Sequence, residues 1–283
     1  MSTKRSVFAF SFFDLLAYGS MLIIVALLLA IVAPLVTHGW PELSWAYFLE
    51  VPEKSGRSGG ISSILVSNIL ILLVCMVTAL PLGLGAAVFL SELRRQQRRI
   101  GYLVRGSLDI LAGVPSIVFG LFGNAFFCKA LGLGFSITAG GLTLACMVLP
   151  LVIRSAEEGL RAVPESCRLG AASLGLKRWA TLSHLLVPTA VPSLIVGFVL
   201  GLGRALAETA ALIFTSGYVD RMPGSLLDSG RSLSIHIYDL AMNVAGGDQK
   251  AYAASLTLLL LLFVINALAS LITERWMKGR IQI

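Results

Sequence analysis

Six mostly apolar stretches, at about 15–36, 64–90, 108–127, 137–153, 188–215 and 251–272, constrain this 283-residue chain more than any other feature. A helix needs about 20 apolar residues to cross the hydrocarbon core of a bilayer. Inside lipid, only helices and closed barrels satisfy every backbone polar group. The residues are 57% hydrophobic and only 13% charged, too few charges to coat a soluble domain, where about 25% is usual. The expected fold is an all-α integral membrane protein with six transmembrane helices.

The charges between the spans set an orientation. With the N-terminus inside, the inner segments hold 15 of the 22 Lys and Arg residues: Lys4, Arg5, Arg94, Arg95, Arg98, Arg99, Arg105, Arg154, Arg161, Arg168, Lys177, Arg178, Arg275, Lys278 and Arg280. The outer segments hold Lys54, Arg57, Lys129, Arg221, Arg231 and Lys250. Excess Lys and Arg marks cytoplasmic loops, so both termini are expected in the cytoplasm. The net charge of +7 is read the same way, not as a nucleic-acid-binding surface. The four cysteines, Cys75, Cys128, Cys146 and Cys167, have no metal-ligand or disulfide spacing and read as small apolar side chains.

One cation is left inside a span. Arg204 lies in GFVLGLGRALAETAALIFTSG, with Glu208 four residues on. On a continuous helix Gly197, Gly201, Arg204, Glu208, Ala211 and Thr215 share one stripe within about 80° at 100° per residue. Charges within a span are costly and rarely face lipid. Two readings fit: an ion pair that neutralises itself within the bundle, or a charged lining of a water-accessible pathway. A guanidinium suits an oxyanion, and Glu208 would accept a hydrogen bond from a protonated one such as hydrogen phosphate. Arg154, just after Pro150, is either a snorkelling arginine or a second cationic station on the same path.

Two further segments stand out. In LAGVPSIVFGLFG, at 111–123, Pro115 and its neighbouring glycines weaken the third span. That is either a packing kink or broken backbone beside a cavity, with Asp109 a cap or first-turn charge. The second segment, 163–188, is neither apolar enough to span nor simply polar. It reads as two short amphipathic helices broken at Gly175 on the cytoplasmic surface, either lying on lipid or docking into a partner's groove. A kink is also expected in span 2, where Pro81, Gly83 and Gly85 occur. His38, His184 and His236 lie in different segments, and no phosphate-binding loop, GxSxG or metal-spacing motif is present. No cofactor, metal or catalytic site is expected; ATP, if used, is bound by another chain.

The 163–188 segment resembles the cytoplasmic EAA loop of ABC importer permeases. Setting the loop's glycine on Gly175 places its closing residues on Leu185, Leu186, Val187 and Pro188, while its glutamate falls on Leu169, so the hallmark acid is missing. The runs LAGVPSIVFGLFG, ITAGGLTLACMVLPLVIRSAEEGLRAVPE and GRALAETAALIFTSG are similar to those of the permeases of phosphate-specific ABC importers, the A-type subunit more than its C-type partner. That resemblance implies a type I importer (MetI-like) architecture in the bacterial inner membrane. It implies an N-terminal helix and first periplasmic loop at 1–63, a permease core at 64–274 with the coupling loop at 163–188, and a cytoplasmic tail at 275–283. The implied partners are a C-type permease, a dimeric cytosolic ATPase and a periplasmic phosphate-binding protein, with phosphate as substrate. Arg204, Glu208 and Arg154 would serve translocation, and Ala171, Ala172, Leu174 and Gly175 the ATPase coupling. A related importer for another oxyanion is the alternative, and a stand-alone channel or intramembrane enzyme is the contrasting class.

Overall fold

In the computed structural model, residues 12–93 and 98–281 are described. Lys4, Arg5, Arg94 and Arg95 of the orientation argument lie outside them. Among the described residues, five helices are long and apolar enough to cross a membrane, and a bent pair makes six if it is counted as one span. The first span is α1, Phe12–Gly39. A short helix α2, Trp45–Leu49, follows, capped by the Ser44 hydroxyl. A two-residue hairpin, β1 Pro52–Glu53 against β2 Ser58–Gly59, leads into α3, Ser62–Leu93. α3 remains one helix through Pro81.

The core is built on α6, Ile137–Ala162, which starts where the Ser136 hydroxyl accepts the Ala139 N–H at 3.1 Å. α3 packs on one side of it and α9, Val187–Leu206, on the other. Ile71, Cys75 and Met76 of α3 meet Leu144, Met147 and Val148 of α6 in a single apolar cluster with Leu206. These contacts are close because the facing residues are small. A Cβ on Gly141 would sit 2.6 Å from that of Val74, and one on Gly197 2.5 Å from that of Ser155. Small residues at such crossings let backbones approach where lipid supplies no hydrophobic drive between helices. By contrast, α1 leaves Leu22, Ile24 and Leu28 exposed and leans on the last helix, α12, Asp248–Ile281. There His38 stacks on Tyr252 and Lys250 pairs with Glu42 at 2.8 Å.

Three sequence expectations need correction. The third span is not one helix over 108–127. It is α4, Arg98–Ala112, and α5, Ser116–Gly123, which runs into a π-helical segment Asn124–Ala130, with a 97° bend between the two halves. Pro115 produces a break and not a mild kink: its ring lacks an N–H and forces extended backbone before α5 can start. Asp109 accordingly sits in the last turn of α4, not the first turn of a span.

The fifth span ends at Leu206, not at 215, and a separate turn α10, Ala210–Ile213, follows. Of the two expected surface helices, only the first is short: α7, Glu165–Ser173. The second begins at Arg178 (α8, Arg178–Thr181) and continues through a π-helical turn into α9 as one 29-residue span. Gly175 does break the segment, with φ of +71°, a left-handed conformation that favours glycine. The last helix, α12, continues to Ile281, into the expected tail. The loop after α10 carries α11, Leu233–Met242, capped by Ser232 and packed against α12.

Candidate functional site

The break after α9 is built from local hydrogen bonding. The Glu208 N–H turns back to the Ala205 carbonyl at 3.3 Å, closing the helix one turn early. The Glu208 carboxylate then accepts the Ala211 N–H at 3.3 Å and so caps α10. Its backbone carbonyl accepts the Ser234 hydroxyl of α11 at 2.5 Å. Arg204 and Glu208 therefore do not stand on one helical stripe, and they form no ion pair. Glu208 is half-buried and committed to the turn. Arg204, in the last turn of α9, is exposed, and its side chain has no hydrogen-bond or ion-pair partner among the described residues. A cation there is favoured by the helix dipole, but the dipole leaves all its donors free.

The two breaks are joined. α5 crosses α10 so tightly that a Cβ on Gly120 would lie 2.8 Å from the Ala211 Cα. One residue past α5, the Asn124 amide donates to the Phe214 carbonyl at 2.7 Å. Non-helical backbone at membrane depth is tolerated only where protein shields it or where it lines a watery path. Here the 113–115 and 207–209 breaks are linked through one α5–α10 contact. A cleft of about 360 Å³ between α9 and α12, lined by Val199, Asn266 and Glu274 among others, contains none of these residues.

Arg154 is not a free snorkelling cation. It forms an ion pair with Asp109 of α4, and both side chains remain about half exposed. The structure does not join Arg154 to Arg204 through any bond. Beside the first pair lies a charge that sequence reasoning passed over. Glu157, whose side chain is 6% exposed, receives Arg105 of α4 through Nε at 3.0 Å and a terminal nitrogen at 2.8 Å, and Arg161 of its own helix at 2.5 Å. The signal was present: Arg154, Glu157 and Arg161 are spaced at i, i+3 and i+7, one face of a helix.

The expected coupling residues fall on α7 and the turn after it. Ala171 is buried, whereas Ala172, Leu174 and Gly175 are exposed. Leu169, Leu174, Leu176 and Trp179 together present bare apolar surface around that turn. Arg168 ties α7 to the end of α6 by donating to the Leu160 carbonyl at 3.1 Å.

Comparison with known proteins gives these features a context. The family described as binding-protein-dependent transport system inner membrane component matches residues 79–278. The probable ABC transporter permease protein YqgI of Bacillus subtilis is 30% identical over 268 residues, covering 90% of each chain. The phosphate transport system permease protein PstA 1 of Mycobacterium tuberculosis (strain ATCC 25618 / H37Rv) is 32% identical over 247 residues, covering 84% of this chain and 78% of that one. Among solved structures, an inward-facing MetNI methionine ABC transporter superposes with a TM-score of 0.59 at 17% identity, covering 76% of this chain and 96% of that one. A bacterial ABC transporter that imports alginate gives 0.61 at 15% identity, covering 93% and 96%.

Proposed function

This chain belongs to the binding-protein-dependent transport system inner membrane components, with the MetI-like ABC importer permease fold, and we propose that it forms half of the translocation pathway of an ATP-driven phosphate importer. The other half is a C-type permease of similar fold. A periplasmic phosphate-binding protein delivers the substrate, and a dimeric cytosolic ATPase supplies the free energy. Both termini face the cytoplasm, in line with the bias of Lys and Arg. The permease relatives named for phosphate transport support the substrate class.

The observation that carries the reading within this chain is Arg204: an exposed guanidinium, without a partner among the described residues, at a break in an apolar span. A passing oxyanion completes its hydrogen bonds, and planar bidentate recognition suits phosphate. Glu208, held four residues on by the Ala211 N–H, adds a negative charge near the break that repels an anion without a proton. Hydrogen phosphate carries a proton at neutral pH and sulfate does not, so the pair favours phosphate. Docking of the apolar surface around Leu174 and Trp179 into a groove of the ATPase moves α7, and the Arg168–Leu160 link passes the motion into α6.

The test is uptake by the reconstituted importer, with its binding protein and ATPase, of labelled phosphate, sulfate and molybdate. ATP-dependent phosphate uptake, with sulfate entering markedly better in Glu208→Gln, is expected. Uptake of sulfate or molybdate in preference to phosphate by the unaltered importer would overturn the assignment. A Glu208→Gln importer that still separates the anions would remove Glu208 from it.

A further inference from the structure

α4 and α6 meet through two ion pairs of opposite polarity. Arg105 of α4 reaches Glu157 of α6, and Asp109, one turn on along α4, reaches Arg154, one turn back along α6. This arrangement specifies one register. Sliding α4 by a turn would set Asp109 against Glu157, or Arg105 against Arg154, with like charges facing. The two pairs differ in depth. Glu157 is buried and holds two arginines, so that pair anchors α4. Arg154 and Asp109 are about half exposed. An exposed pair exchanges partners easily, whereas a buried one does not.

We propose that Asp109 is an internal counter-anion that masks Arg154, so that this arginine becomes available to a translocating oxyanion only when α4 draws away from α6. The proposal rests on the phosphate-importer reading above. Its physical content is competition: a carboxylate and a phosphate oxygen make the same charge-assisted hydrogen bonds to a guanidinium, and Asp109 holds a terminal nitrogen of Arg154 and offsets its charge. The route that would release it is short. α6 ends at Ala162, Pro164 and α7 follow at once, and Arg168 bonds back to Leu160. Motion of α7 thus arrives two turns from Arg154. Asp109 is on this account a positioning residue that sets when the cation is free.

The test is chemical modification of Arg154 in the assembled importer in nanodiscs, using p-hydroxyphenylglyoxal and peptide mass spectrometry. Asp109→Asn is expected to speed modification of Arg154 several-fold. Inorganic phosphate should slow it again in that variant, and Asp109→Glu should restore the protection of the unaltered chain. Equal rates in Asp109→Asn and the unaltered importer would overturn the mask. Faster modification that neither phosphate nor sulfate slows would keep the mask and overturn the oxyanion role of Arg154, which separates the two readings. If Asp109→Asn does not assemble, the unaltered importer is compared without nucleotide and trapped with a non-hydrolysable ATP analogue. A nucleotide-dependent change in the Arg154 rate supports the mask, and an identical rate overturns it.

Discussion

Arg231 and Arg204 are both arginines in an apolar chain, and their surroundings are opposite. Arg231, in the loop before α11, has a side chain only 8% exposed. Its Nε donates to the Tyr218 carbonyl at 2.8 Å, one terminal nitrogen lies 3.1 Å from Asp239, and the other lies 3.9 Å from Asp220. The His236 ring sits 3.5 Å away, pressed so close to the loop at 54–57 that a Cβ on Gly56 would lie 2.5 Å from the ring. Arg231 spends its Nε and one terminal nitrogen on tying its loop to α11. Arg204 has spent none. A cation held by the protein's own acceptors serves the fold; on the function proposed above, one left bare at a helix break serves a solute. Arg154 stands between the two, with one exchangeable partner.

That contrast can be broken experimentally. The largest expected effect is at Arg231. Replacing it with Ala leaves the largely buried Asp239 without its close cation and with only the Asn243 amide, 2.9 Å away, bonded to it, and should cost roughly 3 kcal/mol, read as a large fall in Tm of the purified chain in detergent. An unchanged Tm would mean the cluster is not structural. Arg204→Ala should do the reverse. Its Tm should stay put, since exposed substitutions shift stability by about 0.5 kcal/mol or less. Phosphate uptake by the reconstituted importer should nevertheless fall about 100-fold, the usual result of deleting a donor aimed at an oxyanion. A variant that loses Tm and uptake together would place Arg204 with the structural arginines.

A pH dependence sharpens the picture of the Arg231 cluster. Burial lowers the pKa of His236 from 6.5 to about 4, helped by the positive charge of Arg231 and opposed by Asp239. Between those values the unfolded chain binds a proton that the folded chain refuses. Stability should therefore be full above about pH 6.5 and drain away as the pH falls towards 4, by at most about 1.4 kcal/mol per pH unit. His236→Gln should flatten that part of the Tm-against-pH curve. An unaltered slope would mean that another group, not His236, titrates there.

Much of the architecture was legible before any coordinates. The four spans at 15–36, 64–90, 137–153 and 251–272 were each found inside a longer helix. Gly175 was picked out as a helix break, and it has a positive φ. Arg204 was singled out because a charge in an apolar run is conspicuous anywhere. The misreadings share a cause. The pairing of Arg204 with Glu208 assumed a continuous helix, but the chain turns at Ala207. What holds it there includes the Ser234 hydroxyl, 26 residues away. Pro115 was recognised as a weak point, but the size of its bend depends on what α5 packs against. Glu157 carries no such mark in the sequence, because its partner Arg105 lies 52 residues earlier.

Sequence alone settled the membrane class, the family resemblance and the rough position of each span. Partition into lipid is close to a sum over adjacent residues, so it can be read along the chain. Tertiary structure decided where α9 stops, which carboxylate meets Arg154, and which arginine is left bare. Those outcomes depend on pairing free energies between groups far apart in the chain, and such free energies exist only once the helices have been brought together.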